Sequence, residues 1–174
     1  MADKPILLND EQMQQFIRDG YLILHPVFPE EFNEKVYKRI DESFEKSGGK
    51  NPGNNLLPAV PELQDVWDHP LVHGAFSSIL GPDYYLHLHR HVHESQPGSD
   101  AKRMHKDSLN NSRHCVDQNR RHHRTRWMMA MYYPQDTPDE MGPTSVTPQS
   151  QYITSRDQKG EHLFSSGPAG TVVL

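Results

Sequence analysis

A single cysteine, Cys115, in a chain of 174 residues excludes an intrachain disulfide and any cysteine-rich zinc module. Apolar residues are scarce too: they make up 34% of the chain, aromatics 9%, and mean hydropathy is -0.83. That is little for the core of one complete domain and anticipates apolar surface that further chain would cover. There is no basic excess. Eighteen Lys and Arg against 23 Asp and Glu leave a formal charge of -5, which argues against a general nucleic-acid footprint, and the short cluster Arg120-Arg121-His122-His123-Arg124-Thr125-Arg126 does not reverse it. Long hydrophobic runs are missing, and the opening Met1-Ala2-Asp3-Lys4 leads into no apolar signal segment. The expected setting is cytoplasmic, with no membrane span.

Histidine is what the chain has in quantity, 12 residues, and its placement follows a change of period. The first 82 residues read as a mostly helical layer. Asn9 caps a helix whose third position is Gln12; Met13, Phe16 and Ile17 form its stripe and Gly20 ends it. Tyr21-Leu22-Ile23-Leu24 reads as a short strand. After Pro26 and Pro29 a second helix carries Phe32, Val36, Ile40 and Phe44, a core stripe. Ser47 to Asn55 is a loop, and Leu71, Val72, Ala75, Phe76, Ile79 and Leu80 mark a further helix stopped by Gly81-Pro82.

From Asp83 the pattern alternates. Tyr84, Leu86, Leu88, Arg90 and Val92 share one face of a predicted strand, and Tyr85, His87, His89, His91 and His93 share the other. The histidine row is either a metal-binding ladder or a polar sheet face whose imidazoles bond to each other, to carboxylates and to water. Neighbouring i, i+2 positions on one strand cannot by themselves surround an ion. A turn at Gln96 to Asp100, a strand around His105 and a polar loop from Ser108 to Arg124 follow. Arg126-Trp127-Met128-Met129-Ala130-Met131-Tyr132-Tyr133 is the strongest predicted strand; Trp127, Met129 and Met131 occupy one face, Met128, Ala130 and Tyr132 the other. Short strands at Thr144 to Thr147 and Gly170 to Leu174 complete a pattern expected for a barrel or sandwich.

His105-Lys106-Asp107 places an imidazole and a carboxylate two residues apart, on one face of an extended segment. With a second histidine, these are the donors of the facial triad that holds non-heme Fe(II) and leaves three coordination positions open. The pair is therefore the candidate metal site.

His105-x-Asp107, then Tyr132-Tyr133-Pro134-Gln135-Asp136-Thr137, Gly142-Pro143-Thr144-Ser145-Val146-Thr147-Pro148-Gln149-Ser150-Gln151-Tyr152 and Gly170-Thr171-Val172-Val173-Leu174, in this order behind a helical layer, resemble the phytanoyl-CoA dioxygenase-like family of Fe(II)/2-oxoglutarate oxygenases. The resemblance covers nearly the whole chain. It implies a mainly β fold with flanking helices, a double-stranded β-helix (jelly roll, cupin-like) in one domain spanning residues 1–174, helical over 1–82 and β over 83–174. It also implies iron ligation by His105 and Asp107, with 2-oxoglutarate as cosubstrate, O2 as oxidant and ascorbate as reductant in vitro. The family's distal histidine and the arginine that clamps 2-oxoglutarate lie just past the Gly170–Leu174 strand, so an incomplete β-helix is expected, with Val172-Val173 as an exposed edge. Trp127, Met129, Met131, His91 and His93 are the substrate-pocket candidates, for a small organic or lipid-like substrate. One departure concerns the turn: the family has Pro-Gly-Ser-His where this chain has Pro148-Gln149-Ser150-Gln151, so Gln149 either adopts positive φ under strain or the turn differs. A catalytically inactive jelly-roll binding module and a His-rich metal-handling protein are the alternatives to an oxygenase.

Overall fold

A computed structural model describes residues 4–87, 90–100, 102, 104–105, 125–152 and 160–174. The chain opens on helix α1, Asp10–Asp19, begun by the expected capping box: Asn9 Oδ1 accepts the Gln12 N–H at 2.9 Å and Gln12 Oε1 accepts the Asn9 N–H at 3.0 Å. Gly20, at φ +83°, ends it by donating its N–H to the Phe16 carbonyl; only a residue without Cβ takes that conformation at little cost. Strand β1, Ile23–Leu24, leads to helix α2, Glu30–Lys46, which buries Val36 completely. A 3-10 turn at Gly53–Asn55 and two short helices, α3 (Leu56–Ala59) and α4 (Leu63–Asp68), precede α5, Pro70–Leu80. Proline at the first helical position fits, since that N–H has no helical partner.

Two hydrophobic clusters adjoin. The larger joins α1, α4 and α5 to the sheet through Phe16, Leu24, Val66, Val72, Phe76 and Val172. The smaller lies under α2 and comprises Val36, Leu56, Val60 and Leu63. Phe32 and Tyr132 pack against both.

The strands β2 (Met131–Tyr132), β3 (Ser145–Val146), β4 (Leu163–Phe164) and β5 (Val172–Val173) form, with β1, a three-stranded antiparallel sheet β1-β5-β2 and a hairpin β3-β4. Val173 faces Ile23 on one side and Met131 on the other; Val172 faces Leu24 and Tyr132. Reciprocal bonds between Leu22 and Leu174, and between Tyr133 and the Gly170–Thr171 backbone, extend the ladder on both flanks.

Several expectations fail here: the strand expected over Arg126–Tyr133 is reduced to Met131–Tyr132, and the described residues Met104 and His105 are in no strand. The fold is not a mainly β jelly roll: the described residues are about 40% helix and 9% strand, in sheets of three and two strands. Tyr84–Val92 does not form a strand among its described residues. Its alternation is met by packing, with Tyr84 against Phe76 and Val92 against the cluster under α2. Its backbone bonds to loop side chains, Arg90 N–H to Asn54 Oδ1 at 3.2 Å and Val92 C=O from Asn51 Nδ2 at 2.6 Å. A strand needs a parallel or antiparallel backbone partner, and asparagine amides have taken that role. Finally, Val172-Val173 is no exposed edge. It is the central strand, with both residues essentially buried. No helix among the described residues is long and apolar enough to cross a membrane.

Candidate metal centre and its surroundings

The site begins at the β3–β4 hairpin. Ser145 and Thr147 stand two positions apart on extended chain, so their hydroxyls share one face. Ser145 Oγ donates to Met104 Sδ at 3.4 Å, and Thr147 Oγ1 bonds His162 Nδ1 at 2.8 Å. The residue before His105 is thus held against β3, and His162 sits at the start of β4 on the same hairpin. His105 and His162 are both exposed. Asp107 lies outside the described residues, as do His89, His114, His122 and His123.

The donor types of His105 and Asp107 suit ferrous iron, an imidazole nitrogen with a hard carboxylate oxygen. Among the described residues no group of three or more His, Cys, Asp or Glu converges on one point. The fit therefore rests on the two-residue pair. Nothing in Gly160-Glu161-His162 itself indicates what would orient the His162 ring. Thr147, 15 residues earlier, does so, and only the pairing of β3 with β4 brings it there. A cavity of about 260 Å³ opens beside this contact, lined by Thr147, Pro148, Gln149, Gly160, Glu161 and Leu163.

The turn following β3 follows the first of the two options left open. Gln149 has φ +62°, the one non-glycine residue at positive φ among the described residues, where an L side chain crowds its own carbonyl. Contacts with α1 fix it there. Gln149 donates its N–H to Asp19 O at 2.9 Å, Gln151 Nε2 donates to Ile17 O and Arg18 O at 3.1 and 3.2 Å, and the Tyr152 hydroxyl bonds Ile17 O. These carbonyls end α1 and have no helical donor of their own, so the turn acts as the helix's remote cap.

The segment before β2 shows which of its faces meets the helices. Met128, Ala130 and Tyr132 pack against the larger core. The Tyr132 hydroxyl donates to Asn33 Oδ1 at 2.5 Å, and burial pushes its pKa well above the ordinary phenol value. The opposite face holds Trp127, Met129 and Met131. Trp127 meets the His87 ring edge-on at 4.9 Å, Met131 Sδ accepts a bond from Thr144 Oγ1 at 3.2 Å, and Met129 is partly exposed. The His91 and His93 rings stack on each other, centroids 4.8 Å apart. No protein-family model matches the chain, and neither the curated proteins nor the solved structures contain a match to it.

Proposed function

We propose that this protein is a non-heme Fe(II)/2-oxoglutarate-dependent oxygenase acting on a small organic or lipid-like substrate, with His105 and Asp107 as two of its iron ligands. The observation that carries the proposal is the ordered motif set, whose parts also converge in space. Gly170–Leu174 pairs with the Met131–Tyr133 segment, Thr144 bonds Met131, and Ser145 holds Met104 beside His105. Four stretches separated in sequence by ten residues or more thus meet around β2 and β3. Such convergence is what a site built from all four requires.

Bound iron with 2-oxoglutarate and O2 supplies the oxidising chemistry, coupled to decarboxylation of the cosubstrate to succinate. The chain's own contribution is ligation by His105 and Asp107 and an apolar wall. Trp127, Met129 and Met131 are suited to that wall, because their face is turned away from the residues packed on the helical core. An aspartate at position 107, rather than a small residue that would leave room for a halide on the metal, favours oxygenation over halogenation.

The test is anaerobic Fe(II) titration of the full chain and of His105→Ala and Asp107→Ala, with succinate formation in the presence of 2-oxoglutarate, O2 and ascorbate as the activity readout. Each substitution is expected to weaken iron binding and to remove any iron-dependent succinate formation. Iron affinity unaltered by either substitution overturns the ligand assignment.

A further inference from the structure

Three features meet at the cavity of about 260 Å³ beside the β3–β4 hairpin, which is lined, among the described residues, by Thr147, Pro148, Gln149, Gly160, Glu161 and Leu163. The first is backbone strain. Gln149 keeps φ +62°, and the bond from its N–H to Asp19 O holds it there. Glycine would take this conformation at little cost, so a glutamine kept here points to a use for its side chain. The second is close approach. A Cβ at Gly160 would stand 2.6 Å from Thr147 Cγ2, and the bare glycine is what lets these two lining segments come together. The third is a fixed polar group: Thr147, 8% exposed, is oriented by its bond to His162 Nδ1 at 2.8 Å.

The lining fixes the chemistry of an occupant. Glu161 is its charged member, while the nearby Arg18 and Asp19 side chains pair with each other at 2.8 Å. A carboxylate accepts hydrogen bonds and donates none, and the Gln149 amide oxygen is a second acceptor. Pro148 and Leu163 add apolar surface. We infer that this cavity binds a small organic ammonium ion, with its cationic head between Glu161 and Gln149 and its hydrocarbon part against Pro148 and Leu163. An ammonium head has three donors for these acceptors and makes a charge-assisted bond with the carboxylate; an anion meets a like charge there, and an alcohol forgoes the attraction. The cavity adjoins β3, whose Ser145 bonds Met104 next to His105. The inference rests on the oxygenase reading only in making this ammonium ion the substrate class; binding itself requires no iron.

Titration of the iron-free full chain with n-butylammonium chloride, followed by backbone-amide NMR, tests the inference. Saturable shifts are expected at Thr147, Gln149, Gly160 and Glu161, and none with n-butyrate or n-butanol. Glu161→Gln keeps the size of the side chain and removes its charge; it should weaken n-butylammonium about tenfold, as loss of one charge-assisted hydrogen bond does. Gln149→Gly removes the amide while relieving the backbone. It should weaken binding by a similar factor even as the fold becomes more stable, which separates loss of the site from loss of structure. Absence of a saturable shift with n-butylammonium, equal shifts with n-butyrate or n-butanol, or parent-like affinity in either variant overturns the inference. Fe(II) titration of the same samples reads the His105 and Asp107 assignment separately, so either reading can fail alone.

Discussion

Gly74→Ala tests how the amino-terminal arm is seated on the helical layer. Gly74 lies buried within α5, and a Cβ there would stand 1.8 Å from the Ile6 carbonyl oxygen, 2.3 Å from its carbon and 2.8 Å from Ile6 N. All three are backbone atoms, so no side-chain rotation relieves the overlap and the arm has to move. Its movement breaks the bond from Ile6 N–H to Pro70 O at 2.9 Å and the bond from Leu8 N–H to Ser78 Oγ at 3.0 Å, and it uncovers Leu8, now 8% exposed. Each neutral hydrogen bond contributes about 1 kcal/mol, and burial of a leucine about 2 kcal/mol. Against this, alanine is favoured over glycine inside a helix by about 1 kcal/mol. The net expectation is a loss of about 3 kcal/mol in urea denaturation followed by circular dichroism. The same substitution in a chain starting at Asn9 meets no Ile6, so there it should stabilise by about 1 kcal/mol. This reversal of sign is the informative result. A cost below about 1 kcal/mol in the full chain, where the steric argument demands more, or an equal effect in both lengths, refutes the reasoning.

Three further predictions address the turn, a cap and a buried hydroxyl. Gln149→Gly should raise stability by up to about 1 kcal/mol, since relief of the left-handed backbone outweighs the added freedom of the unfolded chain; an unaltered or lower urea midpoint contradicts it. His69 Nδ1 accepts the Leu71 N–H at the start of α5, and burial, the larger influence, holds its pKa below 6.5 against the opposing hydrogen bond with Val27. The unfolded chain therefore takes up the proton more readily than the folded one. The corresponding stability is present above about pH 6.5 and is lost as pH falls through that range towards the lower folded-state value. His69→Asn keeps an acceptor at the cap and should flatten this part of the pH–stability curve; superimposable curves for the two proteins would falsify the assignment. Tyr132→Phe should cost about 1–3 kcal/mol by leaving Asn33 Oδ1 without its donor, Asn33 being 5% exposed. In the parent protein Tyr132 and Tyr84, both raised by burial, should ionise later than the other tyrosines in an alkaline absorbance titration, and the latest component should vanish in Tyr132→Phe.

What the sequence determined by itself is the part of the molecule whose causes are local. The Asn9–Gln12 box, the glycine end of α1 and the stop of α5 at Gly81 each depend on residues within a few positions of one another and are present as expected, whereas the stripe of α2 is met only in part, with Val36 buried, Phe32 and Ile40 packed at its side and Phe44 outside both clusters. The awkward turn at Gln149 was legible for the same reason, as a glycine position occupied by another residue. The His105-x-Asp107 spacing was equally plain as a pair, though not what stands around it. Tertiary structure decided everything that needs a distant partner. Alternation at Tyr84–Val92 is necessary for a half-buried strand but does not provide a neighbouring strand, and here Asn51 and Asn54 bond to that backbone instead. The exposed Leu163 and Phe164 gave no inward pattern, so β4 came to light only through its ladder to β3. The position of Val172-Val173 at the sheet centre, and of Thr147 against His162, likewise depends on contacts across many residues. Hydrogen bonds and burial of that range are set by how the whole chain closes, and no window of sequence contains both partners.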